Sequence, residues 1–185
     1  MKSALIVIDV QQSFTRRAYW DEAELPMFLQ SLQGLVNRAH QAAVPVLQVF
    51  HVDEEGPENA FSFESGLIKT LPQLDVRPTE VFTKAVHSAM FATTKNGRSL
   101  DYWLRAAGIQ RLIVTGIRTE QCCETTTRHA SDLGYSVTYA MDATLTFPMV
   151  SGSGRKFTAQ EIRDRTELVL QDRFAQVQRS DAVVI

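Results

Sequence analysis

The sequence predicts an α/β fold: one doubly wound, Rossmann-like, mostly parallel sheet of about six strands, with helices on both faces. Short apolar, β-branched runs alternate along the chain with segments whose apolar residues recur at helical spacing. The 185 residues, 44% of them hydrophobic, suffice for one well-cored domain and are few for two. We therefore predict a single domain over residues 1–185.

The predicted strands are short apolar runs that finish at a polar residue or a glycine. The first is apolar except for Asp9 near its end, which is typical of a central parallel strand covered on both faces. The fourth is followed by Gly116, which we expect to end it. The predicted strands cover residues 4–10, 44–52, 80–82, 112–114, 135–141 and 175–177.

The predicted helices are segments with apolar residues on one side, bounded by capping residues. Thr119 and Thr158 are predicted N-caps, because a hydroxyl can accept a hydrogen bond from a free amide of the first turn. Gly134 follows the third helix, as a residue in the left-handed region often does. The predicted helices cover residues 25–43, 99–107, 122–133 and 158–172, and residues 53–78 form a long loop with a helical turn near 66–70.

Composition argues against several classes of partner and location. The net charge is −2 with both signs interspersed, so we expect neither nucleic acid nor a membrane surface as a partner. No apolar run approaches the length of a membrane span, and the first strand begins too early to leave room for a signal peptide. Two adjacent cysteines cannot build a disulfide framework. We expect a cytoplasmic protein.

Polar residues follow the ends of several predicted strands. In a doubly wound sheet, ligands bind outside the carboxyl ends of the strands. Asp9, His51, Lys84, the turn at 116–122 and Asp142 all lie at or just beyond such ends. The sequence therefore predicts that they meet at one edge of the sheet.

Cys122 is the candidate nucleophile at this edge. It lies where a helix is predicted to begin, and the free amides and dipole there favour a thiolate and can stabilise an oxyanion. Asp9 is a candidate general base, and an ammonium at Lys84 would lower the thiol pKa and hold the carboxylate. Each residue alone has an ordinary explanation: a structural acid, a solvated lysine, an inert thiol. Cys123 points about 100° away around the helix and is interpreted as core.

Three motifs in order resemble the isochorismatase-like cysteine hydrolase superfamily. They are LIVIDVQ with Asp9, K-x-x-x-S-A-x-F from Lys84, and T-G-x-x-T-x-x-C-x-x-T-T around Cys122. The resemblance runs almost from end to end and implies a catalytic triad of these three residues. It also implies a cis peptide between Ile117 and Arg118, and an oxyanion hole made by the backbone amides of Arg118 and Cys122. Members of the superfamily commonly form dimers or tetramers, so we expect a homodimer or homotetramer.

The resemblance implies a cysteine hydrolase, and the histidine spacing makes a metal-independent one the expectation. It would cleave a C–N bond of a small amide or of a ureido or carbamoyl compound through a thioester on Cys122, with no cofactor. Nicotinamidases of the superfamily bind a metal through an Asp-x-His pair and a later histidine in the loop after the second strand. Here His51 precedes Asp53 and the next histidine is His87, so we expect no metal.

The substrate pocket is predicted from loop residues near the sheet edge. Arg118 is placed to meet a substrate carboxylate, whereas a surface salt bridge is its ordinary alternative. Further aromatic residues on these loops, Tyr19, Phe61 and Phe147 among them, are candidates of the same kind. The predicted lining residues are Phe14, Trp20, His51, His87, Phe91 and Arg118.

Three alternatives remain open at this stage. An isochorismatase-type hydrolase would act on an enol ether and does not need a thiol nucleophile. A thiol redox protein would use Cys122 and Cys123, but it would not require Asp9 and Lys84 beside them. A binding module on the same fold would be expected to lack at least one member of the triad.

Overall fold

The computed structural model describes residues 1–53 and 56–185. Residues 54 and 55 of the predicted long loop lie outside the described part. The strands and helices, in chain order, are β1 (Ser3–Ile8), α1 (Leu25–Gln41), β2 (Val46–His51), β3 (Glu80–Lys84), α2 (Leu100–Ala106), β4 (Arg111–Ile117), α3 (Glu124–Asp132), β5 (Ser136–Leu145), β6 (Met149–Val150), β7 (Lys156–Phe157), α4 (Ala159–Leu170) and β8 (Gln176–Gln178).

The main sheet has six strands in the order β3-β2-β1-β4-β5-β8, and every neighbouring pair is parallel. The predicted fold class is thereby confirmed. From β1 the chain moves outward through β2 to β3, and then returns to the other side of β1 as β4. This reversal between β1 and β4 is the point where doubly wound sheets bind their ligands.

Helices cover both faces of the sheet because successive strand residues point to opposite sides. Leu5 and Val7 of β1 belong to the cluster that α1 covers. Ala4, Ile6 and Ile8 belong to a second cluster, which also contains buried residues of α2, α3 and α4. The strand is therefore buried on both faces, as its continuous apolar sequence predicts.

Several elements in the structure have bounds that differ from the predicted ones. The helical turn predicted near 66–70 is wrong: the short 3₁₀-helix in this loop is Phe63–Ser65, and Ser62 caps it by accepting from the Ser65 amide. Lys84 does not follow β3 but is its last residue. Thr158 caps α4 as predicted, and it forms a reciprocal pair with Glu161.

Asp142 does not lie at the ligand-binding edge. It lies within β5, which continues to Leu145 instead of ending near Met141. Its carboxylate accepts hydrogen bonds from the Ser180 amide at 2.6 Å and from the Ser31 hydroxyl at 3.2 Å. Asp142 therefore ties the C-terminal segment to β5 and α1, and the prediction that it joins the edge group is wrong.

Gly116 lies inside β4 and does not end it. Its φ is +129°, and it is paired with Ile8 across the β1–β4 ladder at an irregularity in the register between β4 and β5. A Cβ at this position would lie 2.0 Å from the Ile8 carbonyl oxygen. Only glycine permits this close approach, which brings the end of β4 against the end of β1.

We expect Gly116→Ala to lower the free energy of unfolding by at least about 3 kcal/mol, or to prevent folding, because the new methyl group collides with backbone. Gly34→Ala is the matched control, since nothing lies within 4 Å of a Cβ in that position of α1. It should be neutral or stabilise by up to about 1 kcal/mol. Urea unfolding measures both, and equal midpoints for the two variants would contradict the role of Gly116.

Among the described residues, no helix has both the length and the apolar character needed to cross a lipid bilayer.

Candidate active site

Asp9, Lys84 and Cys122 come together at the β1–β4 reversal. Asp9 follows β1, Lys84 ends β3, and Cys122 lies after β4, so three separate strands supply them. The side chains of Asp9 and Lys84 are completely buried, and Cys122 is 6% exposed. Asp9 has a φ of +55°, in the left-handed region that aspartate tolerates better than most residues. That turn takes the chain away from the strand directly at the carboxylate.

Lys84 is at the centre of the group. Its Nζ lies 2.7 Å from Asp9 Oδ2, 3.1 Å from His51 Nδ1 and 3.6 Å from Cys122 Sγ. An ammonium has three N–H donors, so each of them has one acceptor. Burial lowers the pKa of Lys84, but Asp9 and Cys122 together, through charge and hydrogen bonds, outweigh that effect, and the pKa is raised. The lysine is therefore a cation in the closed site.

The second carboxylate oxygen of Asp9 has a different environment. Asp9 Oδ1 is buried and has no hydrogen-bond partner among the described residues. A carboxylate oxygen of Asp9 and Cys122 Sγ lie within 4.8 Å of each other. Because buried polar atoms are nearly always hydrogen-bonded, an unpartnered oxygen beside a thiol is well placed to accept a proton.

Burial raises the pKa of the Cys122 thiol, and the negative charge of Asp9 raises it further, while Lys84 opposes both. The expectation that the helix start makes the thiolate more accessible is therefore wrong for the resting site. Desolvation disfavours the charged form, and in this pocket it outweighs the nearby ammonium. These effects favour the protonated thiol at Cys122 in the resting site.

These pKa directions predict a loss of stability at alkaline pH. Burial raises the pKa of both Cys122 and Cys123 above the ordinary thiol value of 9.0. Above that pH the unfolded chain releases protons that the folded chain keeps, so the free energy of unfolding falls as the pH rises. Lys84 acts in the same direction above 10.5. Each group contributes a slope of up to about 1.4 kcal/mol per pH unit.

Urea unfolding between about pH 8 and about pH 10.5 measures this slope. The variant with both cysteines changed to alanine should show a smaller slope than the unchanged protein. A flat profile in the unchanged protein, or equal slopes in the two proteins, would contradict the prediction.

The segment that carries Cys122 is a π-helix, Thr119–Cys123, which continues into α3. Its N-cap is Arg118, and no side chain caps it, so the predicted capping role of Thr119 is wrong. The Thr119 hydroxyl lies instead 2.8 Å from that of Thr144. The Arg118 carbonyl accepts from the amides of Gln121 and Cys123, on either side of Cys122.

The peptide bond between Ile117 and Arg118 is cis. It connects the end of β4 to the π-helix, so the backbone amides of Arg118 and Cys122 belong to one short turn. A helix start leaves its first amides without partners in the helix, which makes such a turn suitable for an anion.

The Arg118 side chain is buried and does not form a surface salt bridge. Its Nη2 lies 2.8 Å from Glu120 Oε1, and its guanidinium lies 4.7 Å from the centre of the Tyr19 ring. The other carboxylate oxygen, Glu120 Oε2, accepts a hydrogen bond from Thr146 at 2.6 Å. Arg118 Nε is buried with no hydrogen-bond partner among the described residues. One donor of the guanidinium therefore remains available beside the turn.

The residues predicted to line the pocket fall into three places. His51 touches the triad directly. Phe14 is connected to it through Phe61, whose ring centre lies 5.0 Å from that of Phe14 and 5.9 Å from that of His51. Trp20 and Arg118 lie on a separate aromatic group around Phe147.

The other two predicted lining residues lie on the surface. His87 is exposed. Phe91 is 64% exposed and packs against His129 of α3, with ring centres 4.8 Å apart. Neither has a described contact with the triad.

Of the further residues around the site, the sequence offers Tyr19, Phe61 and Phe147 as loop aromatics near the sheet edge, whereas it assigns no role to Asp53. Asp53 Oδ1 lies 2.7 Å from Nε2 of His51, and the only sequence signal for this pair is the His-x-Asp spacing. The aromatic rings gave no signal that separates them from core residues, because both kinds of residue are apolar and lie on loops.

One group of potential metal ligands occurs among the described residues: Asp9, His51 and Cys122. Their ligand atoms lie within 4.8 Å of one another, and the Lys84 ammonium lies within hydrogen-bond distance of all three residues. An ion bound there would have to displace a buried cation that already has a charged partner. The ligand set therefore fits the ammonium better than a metal.

The sequence matches the isochorismatase domain model over residues 3–174. Streptothricin hydrolase from Streptomyces noursei is 31% identical over 98% of this chain and 61% of its own length. Ureidoacrylate amidohydrolase RutB from Variovorax paradoxus (strain S110) is 30% identical over 77% of this chain and 68% of its own length.

Solved structures agree with the sequence relatives. The crystal structure of an isochorismatase-family protein from Chromobacterium violaceum has a TM-score of 0.85 and 28% identity, with 97% of this chain and 90% of that chain covered. The resemblance drawn from the three motifs is thus confirmed by a domain model that covers nearly the whole chain and by a structure of the same fold. The protein belongs to the isochorismatase family of hydrolases.

Proposed function

We propose that the protein is a metal-independent cysteine hydrolase that cleaves a C–N bond of a small amide or of a ureido or carbamoyl compound. The observation that carries this proposal is the arrangement around Cys122. A buried lysine lies 3.6 Å from the sulfur and 2.7 Å from one oxygen of Asp9, while the other oxygen has no partner. A nucleophile, its base and a fixed cation are thus assembled in one closed site.

In the first half of the reaction, Asp9 Oδ1 takes the proton of Cys122, and the sulfur attacks the substrate carbonyl carbon. The resulting oxyanion accepts hydrogen bonds from the backbone amides of Arg118 and Cys122. Asp9 then gives its proton to the nitrogen. The C–N bond breaks, ammonia or an amine leaves, and a thioester on Cys122 remains.

In the second half, Asp9 takes a proton from water, and the hydroxide attacks the thioester carbonyl in the same oxyanion site. The C–S bond breaks, the acid product leaves, and the proton on Asp9 returns to the sulfur. The net reaction consumes one amide and one water and yields one acid and one amine. Lys84 stays protonated throughout, because Asp9 and Cys122 together raise its pKa against the effect of burial.

Two relatives support the choice of bond. One is named as an amidohydrolase of ureidoacrylate, and the other as a hydrolase of streptothricin. An enol ether hydrolase would not need the thiol, whereas here Cys122 lies against both a base and a cation. A redox role for the cysteine pair would leave the buried Asp9–Lys84 pair without a purpose.

Ammonia release from a panel of small amides, carbamoyl and ureido compounds tests the proposal. The protein should release ammonia from at least one class, and mass spectrometry of the quenched reaction should find an acyl group on Cys122 that hydroxylamine removes. Cleavage of isochorismate with no ammonia from any compound in the panel would overturn it.

We further propose that the protein acts in the cytoplasm on a small molecule, as a homodimer or homotetramer. Large apolar side chains are exposed on β3 and the loop after it, among them Val81, Val86 and Phe91. Such residues are commonly covered in oligomers. Light scattering during size-exclusion chromatography should give at least twice the 20.8 kDa mass of one chain, and a monomer would contradict this proposal.

A further inference from the structure

We propose that His51 is a positioning residue: it accepts one hydrogen bond from Lys84 and thereby directs another proton of that ammonium at the sulfur of Cys122. The proposal deepens the proposed function, and its kinetic part rests on it. His51 is the last residue of β2, and Lys84 ends the neighbouring strand, directly beside it in the ladder.

The hydrogen bonds assign the tautomer of His51. Lys84 Nζ can only donate, so His51 Nδ1, which lies 3.1 Å away, must be the acceptor. The ring proton then lies on Nε2, which is 2.7 Å from Asp53 Oδ1 and donates to it. Asp53 thus selects the tautomer that Lys84 needs, much as carboxylates orient histidines that bind metals.

Two further sets of contacts hold His51: hydrogen bonds between its backbone and Gln11, and packing of its ring against Phe61. The His51 amide donates to Gln11 Oε1 at 2.8 Å, and Gln11 Nε2 donates to the His51 carbonyl at 2.9 Å. The edge of one ring meets the face of the other between His51 and Phe61. The backbone of His51 is therefore fixed, and its ring cannot turn without losing its contacts with Lys84, Asp53 and Phe61.

The chemical consequence concerns the direction of the ammonium protons. Lys84 has three N–H bonds in tetrahedral directions, and the acceptors are Asp9, His51 and Cys122. If Asp9 were the only fixed acceptor, it would fix one N–H bond and leave the ammonium free to rotate about that bond. A second fixed acceptor removes the rotation, so the third proton points at the sulfur. Lys84 lowers the pKa of the Cys122 thiol, and the size of that effect depends on this geometry.

Three variants separate this role from a merely structural one. His51→Asn places its oxygen about where Nδ1 lies and so retains an acceptor for Lys84. His51→Gln places its oxygen about where Nε2 lies and so loses that acceptor, and His51→Ala loses both. The readouts are kcat and KM for the best amide, and the rate at which iodoacetamide alkylates Cys122 at about pH 8, with the modified residue located by peptide mass.

For the Ala and Gln variants we expect kcat to fall about 10- to 100-fold with little change in KM, the range seen when partners of metal-bound histidines are removed. We expect alkylation to slow about three- to tenfold, because less of the thiol is ionised. The Asn variant should recover most of both losses.

The direction of the alkylation change is decisive. Cys122 is nearly buried, so a site that only loosens would react faster with iodoacetamide. Faster alkylation in His51→Ala, unchanged alkylation and kcat, or equal behaviour of the Asn and Gln variants would each overturn the proposal. Alkylation needs no substrate, so it still tests the role of His51 if no amide proves to be cleaved.

Discussion

Cys122→Ala should lose at least about 10⁴-fold in kcat for amide hydrolysis, the scale seen when the nucleophile of a hydrolase is removed. The reason is structural as well as chemical. Asp9 Oδ1 has no partner in the described part of the chain, so without the sulfur there is no proton for it to take and no atom to form the thioester. Ammonia release measured with both proteins at saturating substrate checks this prediction.

Cys123→Ala is the matched control, because it removes a thiol one residue away. Cys123 is completely buried in the same hydrophobic cluster as Cys122, and burial raises its pKa well above the ordinary value. We expect its kcat to stay within about threefold of the unchanged protein, at a stability cost of about 1 kcal/mol for the small cavity. Equal losses of activity in the two variants would contradict the assignment and favour a role for the cysteine pair.

The order of apolar runs and helical stripes was enough to predict the parallel sheet, because that pattern reflects burial and burial dominates folding. It could not predict the local backbone at β4. Gly116 looks like a strand terminator in the sequence, yet it lies within β4. Glycine is required there because β1 passes too close for any side chain. The contact comes from two strands that are more than 100 residues apart, so no local pattern carries it.

The candidate site likewise has features that the sequence predicts and features that it does not. Asp9, Lys84 and Cys122 could be placed together from the rule that ligands bind at strand ends, and their distances in the structure agree with that placement. The protonation of Cys122 could not be predicted, since it depends on how far burial outweighs Lys84. The pocket was harder still: Phe14 is buried although its sequence neighbours are polar, whereas Phe91 is exposed although Ala89, Met90 and Ala92 flank it.

The last prediction separates what the Asp9–Lys84 pair contributes to the stability of the protein from what it contributes to activity. Both side chains are fully buried and 2.7 Å apart. Lys84→Met leaves the Asp9 carboxylate buried without a cation, so we expect the free energy of unfolding to fall by about 3–5 kcal/mol. Activity should fall by about 10²- to 10⁴-fold.

Adding Asp9→Asn to Lys84→Met removes the stranded charge. The double variant should therefore regain at least about 2 kcal/mol over Lys84→Met, as measured by urea unfolding, while its activity stays lost. A purely structural ion pair would give a different result, because activity would return together with stability. If the double variant hydrolyses the amide, the base and the cation are not part of the chemistry. If it is no more stable than Lys84→Met, Asp9 is not an unpaired charge in that single variant, and the predicted cost of stranding it is wrong. Stability regained without activity is the result expected of a charge pair that is retained for the reaction it performs.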